Sequence, residues 1–356
     1  MEEKELQREE AQSNVAMPTE DLHGENLTDR AKVLSPTATV LKRFFRSKLS
    51  MVGLVVLVAL FLISFIGPLF SPWYKNGQLV TDTTPGQPVI TETRIEYEID
   101  GEKYYTYDIT VYYPDANSDA DISWQHWLGT DKEAKDILTK LMVGGRVSLT
   151  IGFLVIIVET LIGMALGGLA GYFGGWVDQL IMRIVDILYC IPQIPIMLII
   201  SAVLDGLKVS GYARLYIMMA ILTLIGWAGT ARLVRGQILT LREQDFMLAA
   251  KCSGLSVARK IFKHLIPNVM PQLIVTMTLG LGQIILMEAT LGYLGLGAPM
   301  GSPTWGSMLN ASKDSLAAND YYNYWIPSGV CITMAILAFN FVGDGLRDAF
   351  DPKMKR

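Results

Sequence analysis

The stretch EQDFMLAAKCSGLSVARKIFKHLIPN, residues 243–268, is a polar and basic segment set between two long apolar runs. Its pattern predicts two short helices with a break at Gly254, because glycine adopts at low cost the left-handed conformation that ends a helix. Pro267 is expected to limit the second helix at the membrane edge. That helix has apolar residues at spacings of four, which are Val257, Ile261 and Leu265. The stretch therefore predicts a helical elbow at the face of a membrane.

Small side chains surround the predicted break. Ala249 and Ala250 precede Gly254, so the backbone of another protein can approach this surface closely. A membrane protein that holds such an elbow at its cytoplasmic face is suited to docking a partner, and we interpret residues 240–268 as a coupling loop. The alternative is a basic loop that only contacts water.

The composition indicates a membrane protein. The chain has 356 residues, of which 51% are hydrophobic, and the apolar residues gather in blocks of roughly 18 to 25, the length that crosses a bilayer. The three cysteines show no pairing pattern, the three histidines are far apart, and no GxxxxGK[ST] phosphate loop occurs. We therefore predict no catalytic residue, no cofactor and no metal site. The net charge of −4 gives no indication of nucleic-acid binding.

The apolar blocks predict an all-α polytopic membrane protein with six transmembrane helices, cytoplasmic coupling helices and a small extracellular β-hairpin. The spans are expected at 50–70, 148–173, 180–204, 215–233, 273–291 and 326–342. The stretch 290–309 after the fifth span is rich in glycine and contains Pro299 and Pro303, so it is predicted to be an irregular outer loop. Basic residues gather before the first span and in the elbow, so the positive-inside rule places both termini in the cytoplasm.

Four regions divide the chain. Residues 1–35 form an acidic tail that is predicted to be disordered. Residues 36–70 are a basic lead-in and the first transmembrane helix. Residues 71–125 are an extracellular insertion, in which alternating apolar residues on either side of Asp100-Gly101 predict a β-hairpin. Residues 126–356 form a core of five transmembrane helices that contains the elbow.

Several residues inside the predicted spans are candidates for a pathway or for helix packing: Glu159, Arg183, Asp186, Pro192 and Glu288. Glu159 lies near the middle of the second span, where an ionisable group is costly and is by default a functional candidate. The alternative is that Glu159 faces the interior and is satisfied by a neighbouring helix. Arg183 and Asp186 are three residues apart and are expected to pair. Pro192 is expected to kink the third span.

Four local motifs occur in order along the chain. They are HWLGTD before the second span, AAxxxG with HxIPN after the fourth, GYLGLG with PTWG after the fifth, and GDGLRDAFDP at the end. Together they resemble the second permease subunit of binding-protein-dependent ABC importers of the oligopeptide, dipeptide and nickel type. The resemblance covers residues 36–356, and the long outer insertion is most like the oligopeptide branch. Leu248 stands where the family has a glutamate.

The resemblance implies a transport subunit without chemistry of its own, in a bacterial cell membrane. It implies a heterodimer with a homologous permease, two ATP-binding subunits that hydrolyse ATP, and an extracellular or lipid-anchored binding protein that delivers the substrate. The residues that the resemblance places against the ATP-binding subunit are Ala249, Ala250, Lys251, Ser253, Gly254, Leu255 and Pro267.

Other classes of function have weaker support in the sequence. Within the leading class, nickel or dipeptides are the alternatives to oligopeptides. A proton-coupled secondary transporter would use Glu159 and Asp186 as relay residues, but such folds usually contain two related halves, and no internal repeat is evident. An intramembrane enzyme finds no support, because the spans carry no Ser/His pair and no HExxH motif.

Overall fold

A computed structural model describes residues 36–83, 89–99, 102–112, 116–209, 211–296, 303–313 and 322–351. Three sequence predictions therefore lie outside the described residues. They are the disordered tail at 1–35, the turn at Asp100-Gly101, and the part of the loop after the fifth span at 297–302.

Helices account for most of the described chain. In order they are α1 (Pro36–Arg46), α2 (Lys48–Phe70), α3 (Ile137–Phe173), α4 (Gly175–Cys190), α5 (Gln193–Gly206), α6 (Gly211–Leu241), α7 (Asp245–Cys252), α8 (Val257–Tyr293), α9 (Trp305–Ala311) and α10 (Tyr322–Phe350). Five helices in this part of the chain are long and apolar enough to cross a membrane: α2, α3, α6, α8 and α10. The pair α4 and α5 makes a sixth span, bent by 77°. The prediction of a polytopic helical membrane protein is confirmed, with the third span broken.

Glycines allow a close contact between helices α3 and α6. A Cβ atom on Gly163 would lie 2.6 Å from the Cβ of Thr230, and one on Gly171 would lie 2.9 Å from the Arg235 carbonyl oxygen. Real Cβ atoms do not approach other atoms so closely, so larger residues would force the two helices apart. The small residues of α3 thus bring the two backbones together, as small residues do in membrane helix pairs.

The two ends of the described chain meet on one side of the bundle. Arg43 of α1 donates a hydrogen bond from Nη1 to the backbone oxygen of Asp351, at 3.1 Å. Phe44 is buried, and it lies with Ser50 against Gly345 near the end of α10. The first and last described helices therefore leave the bundle at the same face.

The insertion after α2 contains two antiparallel strand pairs. Strands β1 (Tyr74–Lys75) and β2 (Gln78–Leu79) form a short hairpin that the sequence analysis missed. Strands β3 (Val89–Ile99) and β4 (Glu102–Tyr112) pair from Val89 opposite Tyr112 to Ile99 opposite Glu102. The predicted hairpin is therefore present.

A buried polar cluster fastens this insertion to the start of α3. The His126 ring nitrogens lie 3.0 Å from Asp136 Oδ1 and 3.2 Å from Asp82 Oδ2. Trp73 stacks on the imidazole, with ring centres 4.3 Å apart. Asp136 also caps α3 by accepting from the Thr139 backbone N–H at 2.8 Å. Each ring nitrogen and each carboxylate of the cluster thus has a partner, as burial requires.

Two local predictions are wrong. Pro267 does not limit the helix after the elbow, because α8 runs without interruption from Val257 to Tyr293. A π-helical turn at Lys260–Leu265 precedes the proline. Proline has no N–H to donate to the preceding turn, and the π-helical turn changes the hydrogen-bond pattern at that point. The stretch 290–309 was expected to be an irregular loop, but α8 extends to Tyr293 and α9 begins at Trp305, capped by Thr304.

Candidate functional site

The elbow has the break at Gly254 that its sequence predicts, but only the first of its two helices is short. Helix α7 ends at Cys252, and the chain then turns at Gly254, whose φ is +68°. Ser256 begins the next helix, where its side chain accepts a hydrogen bond from the Arg259 backbone N–H. Positive φ favours glycine, and this is the physical reason for the break at Gly254. The two helical arms are thus joined by a four-residue connection.

The inner side of the elbow is packed into the helix bundle. Met247 of α7 is fully buried at 0% exposure. It belongs to one apolar cluster with residues from α6 and α8, which are Val234, Ile238, Ile261, Leu265, Val269 and Leu273. Just before α7, Arg242 donates to the Gly171 carbonyl oxygen at the end of α3, at 3.0 Å. The elbow is therefore fixed to three membrane-spanning helices at once.

The outer side of the elbow is open. Leu248 is 60% exposed, and Phe262 is exposed as well. Among the predicted coupling residues, Ala250 is buried and Leu255 is half-buried. The others are exposed: Ala249, Lys251, Ser253, Gly254 and Pro267. Six of the seven positions are thus at least partly accessible, while Ala250 helps to hold the elbow to the bundle.

Glu288 of α8 is buried, at 6% exposure, and it has a hydrogen-bond partner. Ser148 of α3 donates from Oγ to Glu288 Oε2 at 2.8 Å. The same Oγ accepts from the backbone N–H of Trp305, at 3.2 Å, and the Trp305 indole donates to the Leu141 carbonyl oxygen at 3.1 Å. Glu288 therefore belongs to a network that holds α9 against the bundle.

Glu159 of α3 is equally buried, at 8% exposure, but its surroundings differ. Its carboxylate lies against Gly226 of α6, in the space that a side chain on that residue would fill. Within the described part of the chain, no hydrogen bond or ion pair reaches this carboxylate. Glu159 thus faces the interior, but the expected satisfaction by a neighbouring helix is not found.

The third span breaks where the prolines predict. Pro192 precedes the first residue of α5 and has extended backbone angles. The predicted pair of Arg183 with Asp186 does not form, because Asp186 binds Arg232 of α6 at 2.8 Å. The Arg232 guanidinium also lies 4.4 Å from the centre of the Tyr189 ring, which draws it towards α4. Among the described residues, Arg183 has no ion pair.

Sequence reasoning missed four residues of these sites. Met247 anchors the elbow, Gly226 makes room for Glu159, and Arg235 binds Asp178 of α4 with two hydrogen bonds of 2.5 and 2.6 Å. Asp178 and Asp186 belong to the third predicted span and its lead-in, while Arg232 and Arg235 lie at the end of the fourth and just after it, and this opposite charge was the available signal for helix pairing.

This arrangement defines a multi-pass helical membrane protein with a helical elbow between two of its spans. Comparison with known proteins refines that class. Residues 163–356 match the model of the binding-protein-dependent transport system inner membrane component, and residues 35–87 match the N-terminal transmembrane domain of oligopeptide transport permease C. The chain belongs to the family of binding-protein-dependent ABC importer permeases, whose members are not catalytic. The resemblance seen in the four motifs is thereby confirmed.

Named relatives extend over most of the chain. The oligopeptide transport system permease protein OppC of Bacillus subtilis is 36% identical over 329 residues, which are 91% of this chain and 92% of that protein. The dipeptide permease DppC of Alkalihalophilus pseudofirmus is 35% identical and covers 92% of this chain and 93% of its own length. The glutathione permease GsiD of Pectobacterium atrosepticum is 36% identical over 256 residues, which are 72% of this chain and 79% of that protein.

Proposed function

We propose that this chain is the transmembrane permease subunit of an ATP-driven importer of oligopeptides. It forms the translocation pathway with a homologous permease, and an extracellular or lipid-anchored binding protein delivers the peptide. Two ATP-binding subunits hydrolyse ATP and act on the elbow at 240–268. The substrate assignment is supported by the similarity to permeases named for oligopeptides, dipeptides and glutathione. Dipeptides and nickel remain the alternative cargoes.

The two-sided construction of the elbow carries the proposal. Its outer side offers exposed apolar residues such as Leu248 and Phe262 to a partner. Its inner side packs Met247 between α6 and α8, and Arg242 ties it to α3. A partner that moves the elbow therefore moves the inner ends of three spans together. The apolar Leu248 suits a partner groove that is apolar at this point.

The proposed orientation places both termini in the cytoplasm of a bacterial cell. This orientation is supported by the basic residues in α1 and at the start of α2, which are Lys42, Arg43, Arg46 and Lys48. The contact between Arg43 and the Asp351 carbonyl oxygen keeps the first and last described helices at one face. The proposed regions are those given by the sequence: a tail at 1–35, a basic lead-in and first span at 36–70, an outer insertion at 71–125 and a core at 126–356.

ATP-driven uptake by the whole complex in vesicles tests the proposal. Labelled oligopeptide, dipeptide and nickel are offered in parallel, with the binding protein outside. We expect oligopeptide uptake that requires ATP and persists in the presence of a proton uncoupler. Nickel or dipeptide uptake alone would keep the mechanism and change the cargo. Uptake that follows the proton gradient and ignores ATP would contradict the proposal.

A matched pair of glycine variants tests the elbow itself. Gly254 and Gly77 have φ values of +68° and +81°, and for both a Cβ atom would meet nothing within 4 Å. The two substitutions Gly254→Asp and Gly77→Asp therefore impose similar backbone strain in open space, roughly 1–2 kcal/mol each. We expect Gly254→Asp to abolish uptake and to weaken co-purification of the ATP-binding subunits, while Gly77→Asp leaves both intact. If the two variants gave the same uptake and the same co-purification, the coupling role proposed for the elbow would be contradicted.

A further inference from the structure

The break in the third span opens a cavity beside α6. Its volume is about 210 Å³, and since a water molecule takes about 30 Å³ of liquid volume, it has room for about seven waters. The lining comes from the break and from one face of α6, and comprises Leu188, Tyr189, Ile191, Gln193, Ile225, Gly226, Ala228 and Gly229. The cavity therefore lies within the spans and can hold one residue of a peptide.

The broken helix leaves backbone groups unpaired at this cavity. In a continuous helix the Ile191 carbonyl oxygen would accept from the residue four positions later, but that residue is Pro195, which has no N–H. The first N–H groups of α5, on Gln193 and Ile194, likewise have no helical acceptor. Polar backbone at membrane depth is tolerated where it lines a water-filled space. The break thus offers a ligand one hydrogen-bond acceptor, the Ile191 carbonyl oxygen, and two hydrogen-bond donors, the N–H groups of Gln193 and Ile194.

Glu159 adds an ionisable carboxyl group at the same place. Gly226 contributes to the cavity wall, and the Glu159 carboxylate occupies the position of its absent side chain. The carboxylate and the cavity therefore both border Gly226. An ionisable group buried among spans, with no partner in the described chain, indicates a functional site.

We propose that this cavity receives the free α-ammonium group of a peptide in transit, with Glu159 as its counter-ion. An ammonium group supplies three donors, which suit the carboxylate and the Ile191 carbonyl oxygen. The carbonyl oxygen of the first peptide bond suits the N–H groups at the start of α5. Every peptide with a free amino terminus presents this pair of groups whatever its sequence, so the site would accept peptides of many sequences. The inference rests on the proposed function, from which it takes the class of substrate.

Photo-crosslinking in the assembled complex tests the site. The complex, with its binding protein and ATP-binding subunits, is placed in lipid nanodiscs and given a peptide that carries a diazirine on its first or on its last residue. In the wild-type complex we expect the first-residue probe to label segments 188–193 and 225–229, and the last-residue probe to label them weakly. Equal labelling by the two probes would overturn the proposal.

Two variants and one control identify the counter-ion. Glu159→Gln keeps the shape and removes the charge, and Gly226→Ala places a methyl group where the carboxylate lies. Both are expected to lower first-residue labelling about tenfold, which corresponds to about 1.4 kcal/mol of lost interaction. The control Glu133→Gln changes an exposed glutamate that lies outside the spans and the elbow, and it should leave labelling unchanged. Co-purification of all subunits establishes that each variant has assembled.

Two modified peptides identify which ammonium group binds. An N-acetylated peptide should lose labelling at the cavity, at concentrations that give equal occupancy of the binding protein. An N-acetylated peptide with a lysine at its first position tests the side chain instead, and full labelling by this peptide would overturn the assignment to the α-ammonium group. Uptake by the wild-type complex is measured alongside. Absence of peptide uptake would defeat the proposed function as well, whereas normal uptake with labelling that ignores Glu159 would defeat this inference alone.

Discussion

The surroundings of Glu288 and Glu159 differ although both carboxylates are buried to the same degree, at 6% and 8% exposure. Around Glu288, a serine hydroxyl, a backbone N–H and an indole form one connected network between α3, α8 and α9. Around Glu159, the described chain offers a glycine and no hydrogen-bond donor. The first region is completed by the protein's own groups, and the second is incomplete without another molecule.

This difference separates two reasons for a charge at membrane depth. A buried carboxylate with donors holds helices in place, because breaking the network would leave polar groups without partners. A buried carboxylate without donors gives nothing to the fold and costs free energy. Its presence is then explained by a ligand or by a partner subunit. The predictions below test whether the Glu288 region supports stability and the Glu159 region supports transport.

The largest effect is expected from Trp305, the centre of the Glu288 region. Trp305 is almost fully buried, and its ring lies against the backbone of Gly145 on α3. Trp305→Ala should lower the free energy of unfolding by about 3–5 kcal/mol, because it leaves a large cavity. Trp124 is 96% exposed, so Trp124→Ala is the matched control and should cost little. The thermal unfolding midpoint in detergent compares the two, and similar midpoints would contradict the packing role of α9.

Smaller effects on stability are expected from substituting Glu288 and Glu159, and the two substitutions should differ in direction. Glu288→Leu leaves the Ser148 hydroxyl without its acceptor and should cost about 1–3 kcal/mol of stability. Glu159→Leu leaves no hydrogen-bond donor of the described chain without its acceptor, and it removes a buried carboxyl group. The free energy of unfolding should therefore stay equal or rise. Peptide uptake should show the reverse order, with the larger loss in Glu159→Leu. Loss of stability in both variants would indicate that Glu159 also has a structural partner.

The sequence specifies much of this protein because its strongest signals are local. The signals for span length, for the glycine at the elbow and for strands β3 and β4 depend only on neighbours in the chain, and the spans, the turn and the paired strands are all found. The choice of partners is not local. Asp186 has an arginine three residues away, yet it binds Arg232 on α6, because the packing of α4 on α6 decides which cation is nearest. Spacing alone likewise could not show that Glu288 meets Ser148 while Glu159 meets Gly226.

The smallest effect is expected from Asp186, which lies on the same side of α6 as the cavity. Its pair with Arg232 is exposed, at 58% and 50% for the two side chains, and such pairs contribute only about 0–1 kcal/mol. Asp186→Asn should therefore leave the unfolding midpoint almost unchanged. Asp178→Asn is the matched comparison, because Asp178 is 16% exposed and binds Arg235 through two hydrogen bonds. It should cost about 1.5–3 kcal/mol. If Asp186→Asn proved as costly, the face of α6 that lines the cavity would be held by a structural contact, and the contrast between a structural Glu288 region and an open region beside Glu159 would be weaker.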